Sequence, residues 1–170
     1  ARAGNSRQVG MESIPRKSVL FICLGNICRS PTAEAVLQHL LSQSGKLSEW
    51  KVDSAAIADW NVGKTPDDRT MQILKKNGIR DYQHIARQVC GDDFREFEYI
   101  LGMDKENMSA LEELKPNNSK AKLKLLGEFD PQKELIIKDP YVDMNPSGFE
   151  NTYKQCVRSC KGFLDYCERN

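Results

Sequence analysis

Four short apolar runs alternate along this chain with longer segments in which apolar residues recur every three or four positions. The short runs have the length and side chains of buried strands, whereas the longer spacing is typical of amphipathic helices. Strands that alternate with helices predict an α/β fold, with a four-stranded parallel sheet and helices on both faces. The predicted strands are residues 18–22, 50–56, 99–103 and 122–126.

Capping residues and helix breakers bound the predicted helices. Gly45 ends the first helix, Asp67 and Asp68 precede the second, and Asp104 caps the fourth. Residues 127–147 carry three prolines and few regular signals, and loops of that length are usually functional. The predicted helices are residues 30–44, 69–76, 92–97, 105–114 and 148–169.

The chain of 170 residues is long enough for one domain with a substantial core. Its first ten residues are polar and aperiodic, so we interpret residues 1–10 as a vector-derived remnant and expect the domain to span 11–170. Without Arg2 and Arg7, which lie in that remnant, 23 basic residues face 24 acidic ones, a net charge of −1. This charge gives no support for nucleic-acid or membrane partners, and no apolar run is long enough to span a bilayer.

The six cysteines do not form a metal-binding pattern. Cys156, Cys160 and Cys167 follow the helical spacing of their apolar neighbours, which indicates that they fill a core face. There is no C-x-x-C pair and the two histidines lie elsewhere, so we expect no zinc site. Free thiols fit a reducing compartment, and we expect a cytoplasmic protein.

The chemistry of the chain is concentrated where the first strand ends. Residues 23–31 read CLGNICRSP, and a predicted helix follows at once, with Ser30 as its N-cap and Pro31 at its first position. Gly25 and Asn26 both tolerate a positive φ, so the loop can curl its backbone N–H groups inward. Such a ring of amides at a helix N-terminus binds a tetrahedral oxyanion.

A cysteine and an arginine flank this loop. The helix dipole and the amides favour a thiolate at Cys23, and Arg29 offers a planar fork for two phosphoryl oxygens. Ser30 can donate a hydrogen bond to the sulfur. The alternative is a buried cysteine and an unrelated surface arginine. The residues expected to bind phosphate are Leu24, Gly25, Asn26, Ile27, Cys28, Arg29 and Ser30.

A thiolate that attacks a phosphate ester expels an oxygen, which an acid should protonate. Asp130 and Asp139 each precede a proline, which holds them extended and can project the carboxylate. The residues alone leave both open, with a slight preference for Asp139 because Tyr141 follows it. Trp60 lies in a polar loop, where it either anchors that loop or, with Tyr141, walls a pocket for an aryl ring.

Residues 19–31 resemble the phosphate-binding segment of the low-molecular-weight protein tyrosine phosphatases. The resemblance continues through 52–56, 59–63, 125–127 and 139–141, and it covers about residues 18–168. It implies an enzyme that hydrolyses phosphotyrosine in proteins through a covalent cysteinyl-phosphate, without a metal or cofactor. We expect a monomer whose partners are tyrosine-phosphorylated proteins.

The resemblance also implies roles for individual residues. Asp139 matches the general acid of the family, which leaves Asp130 as a turn residue. Trp60 and Tyr141 match the walls of the substrate pocket. His84 matches a histidine that braces the phosphate loop through hydrogen bonds that involve Asn26 and Ser54. No role is assigned to Asp53 or Asp104.

Val142 departs from the family pattern, because many members carry a second aromatic residue there. One wall of the mouth is therefore expected to differ, and phosphorylation of a second tyrosine is not possible.

Cys28 lies five residues from Cys23 in one tight loop. Oxidation of the Cys23 thiolate by peroxide is therefore expected to lead to a reversible Cys23–Cys28 disulfide. The alternative is that Cys28 only packs behind the loop.

Three rival functions use the same loop. Arsenate reduction would need a relay of downstream cysteines, for which Cys90 has no close partner. Phosphoarginine hydrolysis goes, in related enzymes, with threonine at the position of Ile27. A phosphate-binding module without activity is disfavoured by the presence of Cys23, Arg29 and Asp139.

Overall fold

Four parallel strands form the central sheet of the protein. They are β1 (Lys17–Cys23), β2 (Trp50–Ala56), β3 (Tyr99–Gly102) and β4 (Lys122–Leu125). Their order is β2-β1-β3-β4, and every neighbouring pair is parallel. The computed structural model describes residues 17–141 and 146–170, so the predicted remnant at 1–10 lies outside the described residues. The predicted α/β fold with a four-stranded parallel sheet is confirmed.

Helices pack on both faces of this sheet, as predicted. In the part of the chain that the structure describes they are α1 (Arg29–Gln43), α2 (Asp68–Lys76), α3 (Asp93–Glu96), α4 (Lys105–Leu114) and α5 (Ser147–Arg169). Short 3₁₀ turns cover Leu47–Glu49 and Leu126–Phe129. Among the described helices none is both long and apolar enough to cross a lipid bilayer.

The ends of the helices follow from local chemistry. Asp67 caps α2 by accepting from the amide of Arg69, and Asp104 caps α4 by accepting from the amide of Asn107. Gly45, with φ of 70°, follows α1 in the left-handed conformation that glycine adopts without strain.

The predicted start of α1, with Ser30 as N-cap and Pro31 as the first helical residue, is wrong by two residues. The helix begins at Arg29, with Cys28 as its N-cap, and Ser30 lies inside the first turn. The reason is that the Ser30 hydroxyl is buried against Cys23 and Asn26 instead of capping backbone amides.

The core has two layers because alternate residues of each strand face opposite sides of the sheet. Val19 and Phe21 of β1 pack toward α1, α2 and α5, whereas Leu20 and Ile22 pack toward α3 and α4. The prediction that the three cysteines of α5 fill a core face is confirmed for the first two. Cys156 and Cys160 are fully buried, and the partly exposed Cys167 packs against the same cluster.

The segment after β4 returns to the carboxyl end of the sheet. The amide of Ile137 donates to the carbonyl of Met103 at 2.9 Å, just past β3. Since β1 and β2 end at the same edge, the loops that follow all three strands meet there.

Candidate active site

The loop after β1 begins at Cys23, which is buried at the carboxyl end of the strand. Asn26 adopts the left-handed conformation with φ of 58°, as the sequence allowed. Gly25 does not have a positive φ. A Cβ there would lie 2.6 Å from Nδ2 of Asn61, so a larger residue would displace the end of that side chain.

Two donors converge on the sulfur of Cys23. The amide of Asn26 donates to Sγ at 3.2 Å, and Oγ of Ser30 lies 3.0 Å from Sγ. Nδ2 of Asn26 donates to the same Ser30 oxygen at 2.8 Å, and the Ser30 hydroxyl is the donor toward the sulfur when Cys23 is a thiolate.

Arg29 lies beneath the same cavity and is almost completely buried. Its Nη1 donates to Oδ2 of Asp104 at 2.6 Å and to the carbonyl of Ile137 at 3.1 Å. Burial alone would lower the pKa of Arg29, but negative charge at Cys23 and the hydrogen bond to Asp104 raise it above its ordinary value. Within the described residues its buried Nε has no hydrogen-bond partner, which suits a group meant for a bound oxyanion.

Asp104 is a functional residue that sequence reasoning missed. Its Oδ1 caps α4 through the amide of Asn107, and its Oδ2 holds Arg29. The available signal was its place two residues after the end of β3, at the edge where ligands bind. Asp53 also has a partner, since its Oδ2 accepts from Nε of Arg87 at 3.0 Å.

The structure separates the two candidate acids. Asp139 lines the cavity with Cys23, and its Oδ2 lies 3.6 Å from Nη2 of Arg29. Asp130 is buried elsewhere, in two hydrogen bonds with Arg158 of 3.0 and 3.1 Å. Burial opposes ionisation there, but Arg158 holds the pKa of Asp130 below its usual range.

The mouth above the sulfur is a cavity of about 160 Å³. Trp60 and Tyr141 both line it while 69% and 54% exposed, which is unusual for large aromatic side chains. The structure therefore brings both predicted wall residues to one opening. Val142 lies outside the described residues. The residues that line the cavity are Cys23, Leu24, Gly25, Ile27, Cys28, Arg29, Trp60, Asn61, Asp139 and Tyr141.

A hydrogen-bonded network lies behind the loop, and it contains the contacts that the family resemblance implied for His84 and Ser54. Nε2 of His84 lies 2.7 Å from Oδ1 of Asn26, and Nδ2 of Asn26 donates to Oγ of Ser54 at 3.0 Å. Because both ends of the Asn26 amide are held, its left-handed backbone conformation is fixed.

The same network contains two residues that sequence reasoning missed. Oε1 of Glu34 accepts from Ser54 at 2.5 Å and from the hydroxyl of Tyr82 at 3.0 Å. Burial raises the pKa of Glu34 to about 7. A charged residue on the apolar stretch of the first helix was the signal that could have revealed it.

Glu34, Asp53 and His84 also have the ligand types of a metal site, with donor atoms within 4.8 Å of one another. Each of them already has a protein partner: Ser54 for Glu34, Arg87 for Asp53 and Asn26 for His84. We therefore assign these atoms to the hydrogen-bonded support of the loop.

Cys28 lies in the loop and lines the cavity together with Cys23. Its side chain is buried, and burial raises the pKa of the Cys28 thiol to about 12. Cys28 is therefore a thiol at neutral pH.

A parallel sheet whose first strand ends in a thiol, with an arginine and a carboxylate beside one cavity, is the arrangement expected of a cysteine-dependent phosphatase. Comparison with known proteins agrees. The family model described as low molecular weight phosphotyrosine protein phosphatase matches residues 18–170. This chain belongs to that family.

Individual relatives give the extent of the similarity. The low molecular weight phosphotyrosine protein phosphatase of Rattus norvegicus is 51% identical over 158 residues, which is 91% of this chain and 98% of the rat protein. A protein tyrosine phosphatase from Entamoeba histolytica matches with a TM-score of 0.85 at 30% identity, over 90% of this chain and 97% of that one. A Drosophila arginine phosphatase matches with a TM-score of 0.83 at 39% identity, over 88% and 97% of the two chains.

Proposed function

We propose that this phosphotyrosine protein phosphatase hydrolyses phosphotyrosine and other aryl phosphate monoesters through a covalent cysteinyl-phosphate. One observation carries the proposal: the sulfur of Cys23 accepts from the amide of Asn26 and lies 3.0 Å from the hydroxyl of Ser30, in a cavity also lined by Arg29, whose buried Nε has no partner among the described residues. A nucleophile and a guanidinium donor thus share one cavity.

In the first step the thiolate of Cys23 attacks phosphorus. A sulfur–phosphorus bond forms while the bond from phosphorus to the ester oxygen breaks, and protonated Asp139 gives its proton to that oxygen. Arg29 and the amides of residues 24–30 stabilise the equatorial oxygens, on which negative charge is concentrated.

In the second step water releases the phosphate. The carboxylate of Asp139 takes a proton from water, whose oxygen attacks phosphorus while the bond to sulfur breaks. The hydroxyl of Ser30 stabilises the departing thiolate of Cys23. One water is consumed per phosphate released, and Asp139 is again protonated for the next cycle.

Trp60 and Tyr141 support aryl esters as the substrates. Both rings line the opening above Cys23 and remain largely exposed, so a phenyl ring can be held between or against them. An alkyl ester offers no flat face for this contact.

Phosphoarginine is the alternative substrate, because a similar structure is a Drosophila arginine phosphatase. The position expected to carry threonine in such enzymes is Ile27, which lines the cavity here. We therefore expect kcat/KM for a phosphotyrosine peptide to exceed that for the matching phosphoarginine peptide. A higher kcat/KM for the phosphoarginine peptide would make phosphoarginine, and not phosphotyrosine, the proposed substrate.

The covalent intermediate is tested by rapid acid quench during turnover of an aryl phosphate, followed by mass spectrometry. We expect one phosphoryl group on the peptide that contains Cys23. Cys23→Ser should abolish both the adduct and turnover, whereas Cys90→Ser, which alters an exposed cysteine outside the cavity, should retain both. Turnover by Cys23→Ser would contradict the proposal.

The thiol chemistry supports a cytoplasmic location, where Cys23 and Cys28 stay reduced. We propose that the enzyme acts there as a monomer on tyrosine-phosphorylated proteins and needs no cofactor, nucleic acid or membrane.

A further inference from the structure

An arginine outside the catalytic loop faces a wall of the mouth. The guanidinium carbon of Arg69 lies 5.7 Å from the ring centroid of Tyr141 and 4.4 Å from that of Phe149. Phe149 is buried in the first turn of α5 and gives the guanidinium a fixed surface. Tyr141 is 54% exposed, so few other contacts hold its side chain in place. The contact with Arg69 can therefore determine the orientation of the ring.

Arg69 is itself held in one orientation. Its Nε and Nη2 donate to the two carboxylate oxygens of Asp67, both at 3.0 Å, and its amide donates to the same side chain at 2.8 Å. When one edge of a guanidinium is bound in this way, the orientation of its plane is fixed. Its two flat faces then remain available for packing against aromatic rings.

Asp67 connects this pair to the phosphate-binding loop. The amide of Asp67 donates to the carbonyl of Ile27 at 2.9 Å. The chain of contacts therefore runs from Ile27 through Asp67 and Arg69 to Tyr141. It links the loop that binds phosphate to the wall that is proposed to hold the aryl group.

We propose that Arg69 is a positioning residue that fixes the ring of Tyr141 at the mouth and thereby sets the preference for aryl over alkyl phosphates. The inference rests on the proposed role of Tyr141 as a pocket wall. Arg69 acts through the ring face, where a cation is attracted by the aromatic quadrupole. A lysine cannot replace it, because an ammonium group has no planar face and no second donor edge for Asp67.

The proposal differs from simple attraction of substrate by positive charge. A charge effect would change the affinity for every phosphate-like ligand in the same proportion. Fixing Tyr141 changes only the affinity for ligands with an aryl group. The ratio of inhibition constants for methylphosphonate and phenylphosphonate therefore measures positioning alone.

The experiment compares this ratio in the intact enzyme and five variants, each checked by thermal unfolding. Arg69→Gln and Arg69→Lys should lower the preference for phenylphosphonate about two- to five-fold, and Tyr141→Ala should lower it at least as much. Adding Arg69→Gln to Tyr141→Ala should have no further effect, because the partner ring is already gone. Arg95→Gln removes a similar exposed arginine–aspartate pair, with Asp92, away from the cavity and should leave the ratio unchanged.

Two results overturn the inference in distinguishable ways. If Tyr141→Ala lowers the ratio but Arg69→Gln and Arg69→Lys do not, Tyr141 is a wall and Arg69 does not position it. If Tyr141→Ala leaves the ratio unchanged, the wall itself is wrong and the inference falls with it, whereas phosphoryl transfer through Cys23 is unaffected.

Discussion

At the scale of single residues, the two Asp-Pro pairs have opposite surroundings. Asp139 faces the cavity beside Arg29, whereas Asp130 is buried against Arg158. We expect Asp139→Asn to lower kcat by about 10²–10⁴-fold, most strongly for aryl phosphates with poor leaving groups, because these depend most on protonation. Rates across a series of substituted phenyl phosphates measure this dependence.

Asp130→Asn is the matched control for that series. It weakens the contacts with Arg158 and should lower the melting temperature, while the dependence of rate on the leaving group stays as in the wild type. A steeper dependence in Asp130→Asn than in Asp139→Asn would show that the acid has been assigned to the wrong residue.

Cys28 is expected to protect the enzyme against peroxide. Because burial keeps Cys28 protonated, peroxide should oxidise Cys23 first, to a sulfenic acid. As the sulfur of Cys28 attacks that sulfur, the thiol proton passes to the departing hydroxide, so a disulfide forms and water leaves. After peroxide and then dithiothreitol, wild type should recover most activity and Cys28→Ser much less.

Cys90→Ser serves as the control for this recovery, since Cys90 is exposed and does not line the cavity. Equal recovery by all three proteins, or a peptide map without a Cys23–Cys28 bridge, would leave Cys28 with a packing role alone.

The sequence predicted Cys23, Arg29 and Asp139 at the cavity, but it assigned no role to Asp104 or Glu34, which hold the loop from outside it. Cys23 and Arg29 share one short loop, so their proximity follows from local spacing. Asp104 and Glu34 act on residues 75 and 20 positions away. Such contacts depend on which strands are neighbours and on the packing of α1, and no local pattern carries that information.

At the scale of elements, α5 packs directly against the backbone of the 3₁₀ turn Leu126–Phe129. The contact is made at Gly162, which has no side chain, and the turn leads into the segment that carries Asp139. A Cβ at Gly162 would lie 1.9 Å from the carbonyl oxygen of Phe129. In an open helix, replacing glycine by alanine stabilises by about 1 kcal/mol. Here we expect Gly162→Ala to destabilise by about 1–3 kcal/mol, because the backbones must move apart.

Denaturant unfolding of Gly162→Ala and Lys161→Ala tests this expectation. Lys161 is the exposed neighbour of Gly162 in the same helix, so its substitution should change the free energy of unfolding by at most about 0.5 kcal/mol. An alanine at 162 that stabilises the protein would rule out the close approach of α5 to Phe129.

The regular elements were predictable because their periodicity is local. The structure ends each strand within one residue of the predicted bounds. The segment after β4 was not predictable beyond being a loop. Its course is set by distant partners: Met103 for Ile137, and Arg158 for Asp130.

At the scale of the whole molecule, the site joins segments that are far apart in the chain. Residues 23–30 supply the loop, Trp60 follows β2, and Asp139 and Tyr141 come from the segment after β4. Arg29 contacts Asp104, Ile137 and Asp139, so one side chain ties the loop to the ends of two other segments. An anion bound in the cavity is therefore expected to stabilise the native fold as a unit.

Phosphate should accordingly raise the melting temperature of the protein through binding to the native state alone. At about 100 times its dissociation constant, a ligand of the native state adds about 2.7 kcal/mol, which for a domain of this size corresponds to about 5–10 °C. Differential scanning calorimetry at constant ionic strength, with chloride replacing phosphate, measures the increment. Arg29→Ala should lose it, because the guanidinium fork that grips the anion is gone, whereas Arg80→Ala, an exposed substitution outside the cavity, should keep it. An equal increment in Arg29→Ala would mean that phosphate stabilises the protein from a site other than the loop after β1.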